Sequence, residues 1–151
     1  MICVRAPRSP AGLFCDLWVR SMTKIRTGAC LCGSIRFETR AVPRNAHTCS
    51  CEICQRHSGA TSLTWVEFNA EDVVWIGSGG APSTYRSSDY SSRAFCAACG
   101  STLGAIDDEP VVALVWASFD DRDDEALLPH AHCFEDVCPV WAKMPSMTTG
   151  E

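Results

Sequence analysis

Gly28-Ala29-Cys30-Leu31-Cys32-Gly33-Ser34-Ile35-Arg36-Phe37-Glu38 is the stretch on which the fold turns. Two thiols stand two positions apart, glycine follows the second, and from Ser34 to Thr39 Ile35 and Phe37 alternate with polar residues as in a half-buried strand. A matching device occurs at Cys96-Ala97-Ala98-Cys99-Gly100. Zinc favours four tetrahedral thiolates at about 2.3 Å, and a Cys-x-Cys or Cys-x2-Cys turn points two sulfurs inward while glycine relieves backbone crowding. Cys30, Cys32, Cys96 and Cys99 therefore read as a single four-thiolate site. A metal there closes a large loop and pins distant segments together. Structural zinc supplies roughly 10 to 16 kcal/mol in finger peptides, the scale of a small domain's whole stability, so loss of one thiol should threaten folding itself.

The chain has 151 residues, 46% of them apolar and 21% charged, which is one domain's worth with enough material for an ordinary core. Eleven cysteines are then too many to be explained as staples for an undersized fold. The count is odd, and seven of them sit in close groups, an arrangement better suited to shared metal than to long-loop crosslinks. The apolar stretch Ala11 to Val19 is interrupted by Asp16 and lacks an Ala-x-Ala cleavage site, and no run of about 18 apolar residues occurs. The reading is a soluble, cytoplasmic protein without a membrane segment.

The net charge of -5 is unevenly distributed. Residues 1–60 carry nine Arg and Lys against three Asp and Glu, whereas residues 61–151 carry four against fifteen. Runs such as Asp107-Asp108-Glu109, Asp120 to Glu125 and Glu135-Asp136 would repel a nucleic-acid backbone, so no nucleic-acid partner is expected. They read as solvated loop tips, with an oxygen and nitrogen metal site from His130, His132 and Asp121 as the alternative.

Residues 1–22 show no sustained period and are expected to form a loosely ordered extension, residues 23–145 the zinc-binding domain, and 146–151 a tail. Beyond the first strand, Thr61 to Phe68, Val73 to Ile76, Thr84 to Arg86, Arg93 to Cys96, Thr102 to Ile106 and Val111 to Phe119 read as strands, with Cys133-Phe134 and Val140-Trp141 completing the sheet. One short helix is expected around Cys51 to His57. Many short strands with turn signals predict a mainly β domain of several short antiparallel strands.

Cys49-Ser50-Cys51-Glu52-Ile53-Cys54 offers three thiols and no fourth in sequence. Three protein ligands and an open position are the usual arrangement of catalytic zinc. His47, Arg56 and His57 flank the group, where each could orient a ligand, bind an anion or move a proton. The rival reading of Cys51-x-x-Cys54 or Cys96-x-x-Cys99 as a redox dithiol lacks the strand-then-helix context of an α/β domain. Cys133 is a further candidate fourth ligand, while Cys3, Cys15 and Cys138 have no assigned role.

Taken together, G-A-C-L-C-G-S-I-R-F-E, H-T-C-S-C-E-I-C-Q-R-H-S-G, Y-R-S-S and R-A-F-C-A-A-C-G-S-T-L resemble the glutathione-dependent formaldehyde-activating enzyme family, also described as the centromere-protein-V-like domain family, over about residues 24–142. Ser50 departs from it, standing where many members have His. The resemblance implies an Mss4-like, zinc-stabilised β fold holding two zinc ions per chain, one structural at Cys30, Cys32, Cys96 and Cys99 and one catalytic in type at Cys49, Cys51 and Cys54. It further implies a carbon-sulfur lyase acting on an adduct of glutathione, or another small thiol, with a small aldehyde, in a monomer or homodimer. Tyr85, Ser87, Ser88 and Arg93 could line that site. The competing expectation is a noncatalytic zinc-stabilised module that contacts a protein through exposed aromatics among Trp65, Trp75 and Trp116.

Overall fold

The computed structural model describes residues 24–143. The expected extension 1–22, with Cys3, Cys15 and the stretch to Val19, and the tail 146–151 lie outside the described residues. Ten short strands follow in chain order: β1 (Arg26–Ala29), β2 (Arg36–Thr39), β3 (Arg44–Cys49), β4 (Leu63–Asn69), β5 (Val73–Trp75), β6 (Ser83–Arg86), β7 (Ser91–Phe95), β8 (Thr102–Asp107), β9 (Val111–Val115) and β10 (His132–Cys133). Among the described residues one α-helix, α1 (Glu52–Ser58), interrupts them after β3. The strands form a three-stranded antiparallel sheet, β1-β2-β5, and an open seven-stranded sheet in the order β10-β3-β4-β9-β8-β7-β6. The expected mainly β architecture is what is seen.

Two expectations need correction. The strands are not all antiparallel: β10 runs parallel to β3, placing His132 opposite Thr48 and Cys133 opposite Cys49. Val140-Trp141 do not complete the sheet but form a 3-10 turn, both strongly exposed. Pro139 precedes them with φ -54, and a proline here favours turn entry over a ladder position, since it has no N–H to donate. Strands β1 and β3 escaped the sequence pattern. In β1 the sequence R-T-G-A carries no bulky apolar side chain, and in β3 only Ala46 and Cys49 are apolar, so tertiary pairing makes these strands where alternation does not.

The seven-stranded sheet is buried on both faces, as β4 shows. Val66 and Phe68 point to one side, where they join Phe37, Val112, Leu114, Phe119 and Leu127 in the main core between the two sheets. Phe37 anchors that layer through edge-to-face contacts with Trp75 at 5.9 Å and Phe119 at 5.1 Å. Trp65 points the other way, into a second cluster with Cys49, Cys54, Ala105, Val115 and Cys133. A third cluster, Cys30, Ile35, Cys96 and Leu103, lies where the turn before β2 meets the turn between β7 and β8.

Charge closes the remaining edge. Arg26, 4% exposed, donates from Nε to Asp124 at 2.8 Å, and Lys24 Nζ lies 3.1 Å from the same carboxylate. Burial works against ionisation of Asp124, but hydrogen bonds from Lys24 and the Ala126 N–H, together with the Arg26 charge, outweigh it and hold the carboxyl below its ordinary value of 3.8. Because the folded value is the lower one, this contribution is complete above the unfolded value and disappears as pH falls through the folded value. Asp124→Asn is expected to cost about 2 kcal/mol at pH 7. In urea melts at successive pH values, its deficit relative to wild type should shrink below about pH 3.8.

Candidate functional site

The first cysteine group is built by two tight turns. Gly33 (φ 74) and Gly100 (φ 76) adopt left-handed conformations that a side chain would resist, and their N–H groups bond back to the carbonyls of Cys30 at 3.0 Å and Cys96 at 2.8 Å. Each turn thereby presents two sulfurs to the other. The Cys30 and Cys32 sulfurs are 3.5 Å apart, Cys32 and Cys96 are 3.8 Å apart, and all four lie within 4.8 Å of one another. Tetrahedral bonds of about 2.3 Å place sulfurs roughly 3.8 Å apart, so this donor set fits zinc. The surrounding N–H and O–H groups fit thiolates: the Ile35 N–H reaches Cys30 Sγ at 3.3 Å and Ser101 Oγ lies 3.2 Å from Cys99 Sγ. Ser101 bonding draws Cys99 down to about 5. Cys32 is pushed up to about 11: the Ser34 backbone works the other way, but Cys30 and Cys99 outweigh it. Sulfurs this close cannot all ionise unless a cation lies among them.

The second group sits on the opposite side of the seven-stranded sheet from the main core. Cys49 ends β3, Cys51 precedes α1 as its N-cap residue, and Cys54 lies on the buried side of the helix, 2% exposed. One strand end and one helical turn thus gather three sulfurs within 4.8 Å, with Cys51 Sγ 3.4 Å from Cys54 Sγ. A hydrogen bond from Cys54 is the main reason Cys49 is lowered to about 5, against the effect of burial. Donation to Cys49 and then burial push the Cys54 thiol strongly upward. Again the donor set suits a soft divalent cation, here with three ligands and a position to spare. Both groups carry free thiols.

The flanking residues distribute unevenly. His47 lies directly opposite Trp65, with Nδ1 2.7 Å from the Asn45 carbonyl, and its charge acts on Cys49. His57 packs its ring edge-on to Phe95 at 6.4 Å, and burial, then the Arg93 charge, lowers its affinity for a proton. Arg56 is 80% exposed and paired one turn back with Glu52 at 2.6 Å. Cys133 faces Cys49 across the β10-β3 pair but falls outside the three-thiol group. His130, His132 and Asp121 are not brought together with each other as ligands; Asp121 pairs with Lys24 at 2.9 Å. Trp65, Trp75 and Trp116 are packed against the core clusters, so they do not form the exposed aromatic surface expected of a binding module.

A cleft of about 560 Å³ lies beside the four-thiol group, and none of Cys49, Cys51 and Cys54 lines it. Cys30, Cys99, His57, Leu63 and Val115 line it, and the last two also pack in the cluster that holds Cys49 and Cys54. A larger depression of about 710 Å³, bordered by Arg40, Arg44, Asp72 and Val74, contains no thiol. Sequence reasoning missed the support around Ser50, which is fully buried, lies 2.8 Å from His132 Nε2 and has its carbonyl bonded by Gln55 at 2.7 Å. The departure at Ser50 was the available signal; its partner, 82 positions away, was not.

Residues 25–137 match the family model described as glutathione-dependent formaldehyde-activating enzyme. A crystal structure of a Rhodobacter sphaeroides protein, a structural genomics target, superposes with a TM-score of 0.55 over 70% of this chain and 98% of that one. At 19% identity that likeness shows a shared fold. No curated protein matches.

Proposed function

Because this chain belongs to the glutathione-dependent formaldehyde-activating enzyme family, we propose that it is a zinc-dependent carbon-sulfur lyase-like enzyme that makes and breaks adducts of glutathione, or another small thiol, with a small aldehyde. The observation that carries this reading is the second cysteine group: three sulfurs within 4.8 Å of one another, packed in a cluster whose Leu63 and Val115 also line a cleft beside His57. Zinc bound by Cys49, Cys51 and Cys54 would supply a thiolate-stabilising Lewis acid with one coordination position left for substrate. The group at Cys30, Cys32, Cys96 and Cys99 is then the structural site.

The chain's own residues account for the proton. Adduct formation removes the thiol hydrogen, joins sulfur to the aldehyde carbon and delivers a proton to the carbonyl oxygen; the reverse direction breaks the same C–S bond. His57 is held towards its neutral form by burial and by Arg93, which leaves an uncharged ring nitrogen to act as proton acceptor. His47, beside Cys49, is the second proton carrier, and Arg56 offers an outer positive charge. No described helix is long and apolar enough to cross a membrane.

The test is to incubate zinc-replete protein with glutathione and a panel of aldehydes and to compare adduct formation and breakdown with the spontaneous rates. Acceleration with at least one aldehyde is expected, with two zinc ions per chain by metal analysis. Rates equal to the spontaneous ones across the panel would reject the activity.

A further inference from the structure

Arg93 stands at the centre of β7, on the face of the seven-stranded sheet that carries the second cysteine group. The strand registers explain how far it reaches. Arg93 opposes Ala105 on β8, Ala105 opposes Ala113 on β9, and Ala113 opposes Glu67 on β4, two residues from Trp65. Adjacent strands are about 4.8 Å apart, so β7 and β4 are separated by roughly 14 Å. Two alanines in the intervening strands leave the surface low enough for a long side chain to lie across it. The guanidinium carbon ends 5.5 Å from the centre of the Trp65 ring. Trp65 in turn packs in the cluster that contains Cys49 and Cys54. A positive charge is thus held over an aromatic ring beside three thiols.

That charge has no carboxylate. None of the ion pairs among the described residues involves Arg93, and its one side-chain bond is a long one of 3.3 Å from a terminal nitrogen to Ser91 Oγ. Its Nε is buried without a partner, as is His57 Nε2 close by. Glu67, the acidic residue on the same row of the sheet, accepts from Asn45 Nδ2 at 2.5 Å instead. A buried donor left unmade is costly, and a planar guanidinium fork held over an aromatic ring can offer two parallel bonds to a carboxylate. Arg56 differs on each count, being 80% exposed and already paired with Glu52. Its field is largely screened by solvent.

We propose that Arg93 is the carboxylate-binding residue of the thiol site, receiving a carboxylate of an anionic thiol substrate whose sulfur is directed to Cys49, Cys51 and Cys54, with Trp65 packed between the two points of attachment. This inference rests on the reading of the three-cysteine group as the thiol site. The substrate class that follows is a small thiol carrying a carboxylate at a distance from its sulfur. Glutathione and shorter mercapto acids satisfy it, and neutral thiols do not.

The test measures binding, independently of turnover. Calorimetric titrations of the zinc-loaded protein with glutathione, 3-mercaptopropionate and neutral 2-mercaptoethanol are expected to show the two carboxylate thiols binding about tenfold more tightly or better. Arg93→Gln should remove most of that preference while leaving 2-mercaptoethanol within about twofold of wild type, and Arg93→Lys should recover only part, since it restores charge without the fork. In the wild-type protein the Arg93 Nε–H resonance should shift with 3-mercaptopropionate and stay in place with 2-mercaptoethanol, a readout that does not depend on any variant folding. Equal binding of charged and neutral thiols, an equal loss of both in Arg93→Gln, or a silent Nε–H resonance would overturn the proposal and leave the thiol site intact. A carboxylate preference that depends on Arg93 in a protein that accelerates no adduct reaction would instead reject the enzymatic reading and retain the binding site.

Discussion

Cys96→Ser is expected to leave the chain largely unfolded at 25 °C, with the far-UV dichroism of its strands lost and one zinc fewer retained. Cys96 is 1% exposed and sits among Cys30, Ile35 and Leu103, where it ties the turn after β7 to the turn before β2 through sulfurs 3.8 Å apart. That tie is the link between segments far apart in the chain, and loop-closure entropy makes such links the ones a small domain misses most. The binding free energy of a structural zinc, roughly 10 to 16 kcal/mol in finger peptides, matches the 5–15 kcal/mol by which whole domains are typically stable. Even a serine that keeps the same shape therefore removes a quantity comparable with everything that keeps the chain folded. A urea midpoint equal to wild type would show that the four-thiol group has no part in stability.

Cys54→Ser should do the reverse, removing activity while the fold persists. Cys49, Cys51 and Cys54 are neighbours in sequence, on one strand end and one helical turn, so nothing distant depends on their being joined. The cost of placing a hydroxyl in the buried cluster with Trp65 and Val115 should be about 1–2 kcal/mol. Loss of one ligand from a three-sulfur group should cost the reaction several kcal/mol of charge stabilisation, about 10²- to 10³-fold in rate, so adduct formation should fall close to the spontaneous level. Paired measurements make the result readable: thermal unfolding and rate on one preparation, beside Cys96→Ser on another. A Cys54→Ser protein that turns over at the wild-type rate would remove the three-cysteine group from the chemistry, whatever its metal content. One that fails to fold would assign it a structural role instead.

The contrast between the two groups was legible in the residues. Cys30-Leu-Cys-Gly and Cys96-Ala-Ala-Cys-Gly declare themselves as half-sites because a tight turn with glycine after the last thiol has few other uses, and the structure brings their four sulfurs together. The β strands with apolar alternation, such as β4 and β9, were legible for the same local reason. Strand β3 was not. Its R-N-A-H-T-C sequence has no alternation of its own and becomes a strand because β4 on one side and β10 on the other supply hydrogen bonds. The parallel pairing of β10 is likewise decided by where the chain returns after β9, which no local pattern encodes.

For the site, the seven thiols, their division into a group of four and a group of three, and His47, Arg56 and His57 as neighbours of the latter can be read from the residues alone, because ligand chemistry and close spacing are local properties. What those neighbours can do depends on how the sheet packs around them. Arg56, next to His57 in the chain, turns outward to Glu52, whereas Arg93 reaches the Trp65 ring across strands that are distant in the chain. Which charge is desolvated and which is screened depends on sheet order and on two alanines beneath a side chain, and these are facts of packing that exist only once the sheet has assembled.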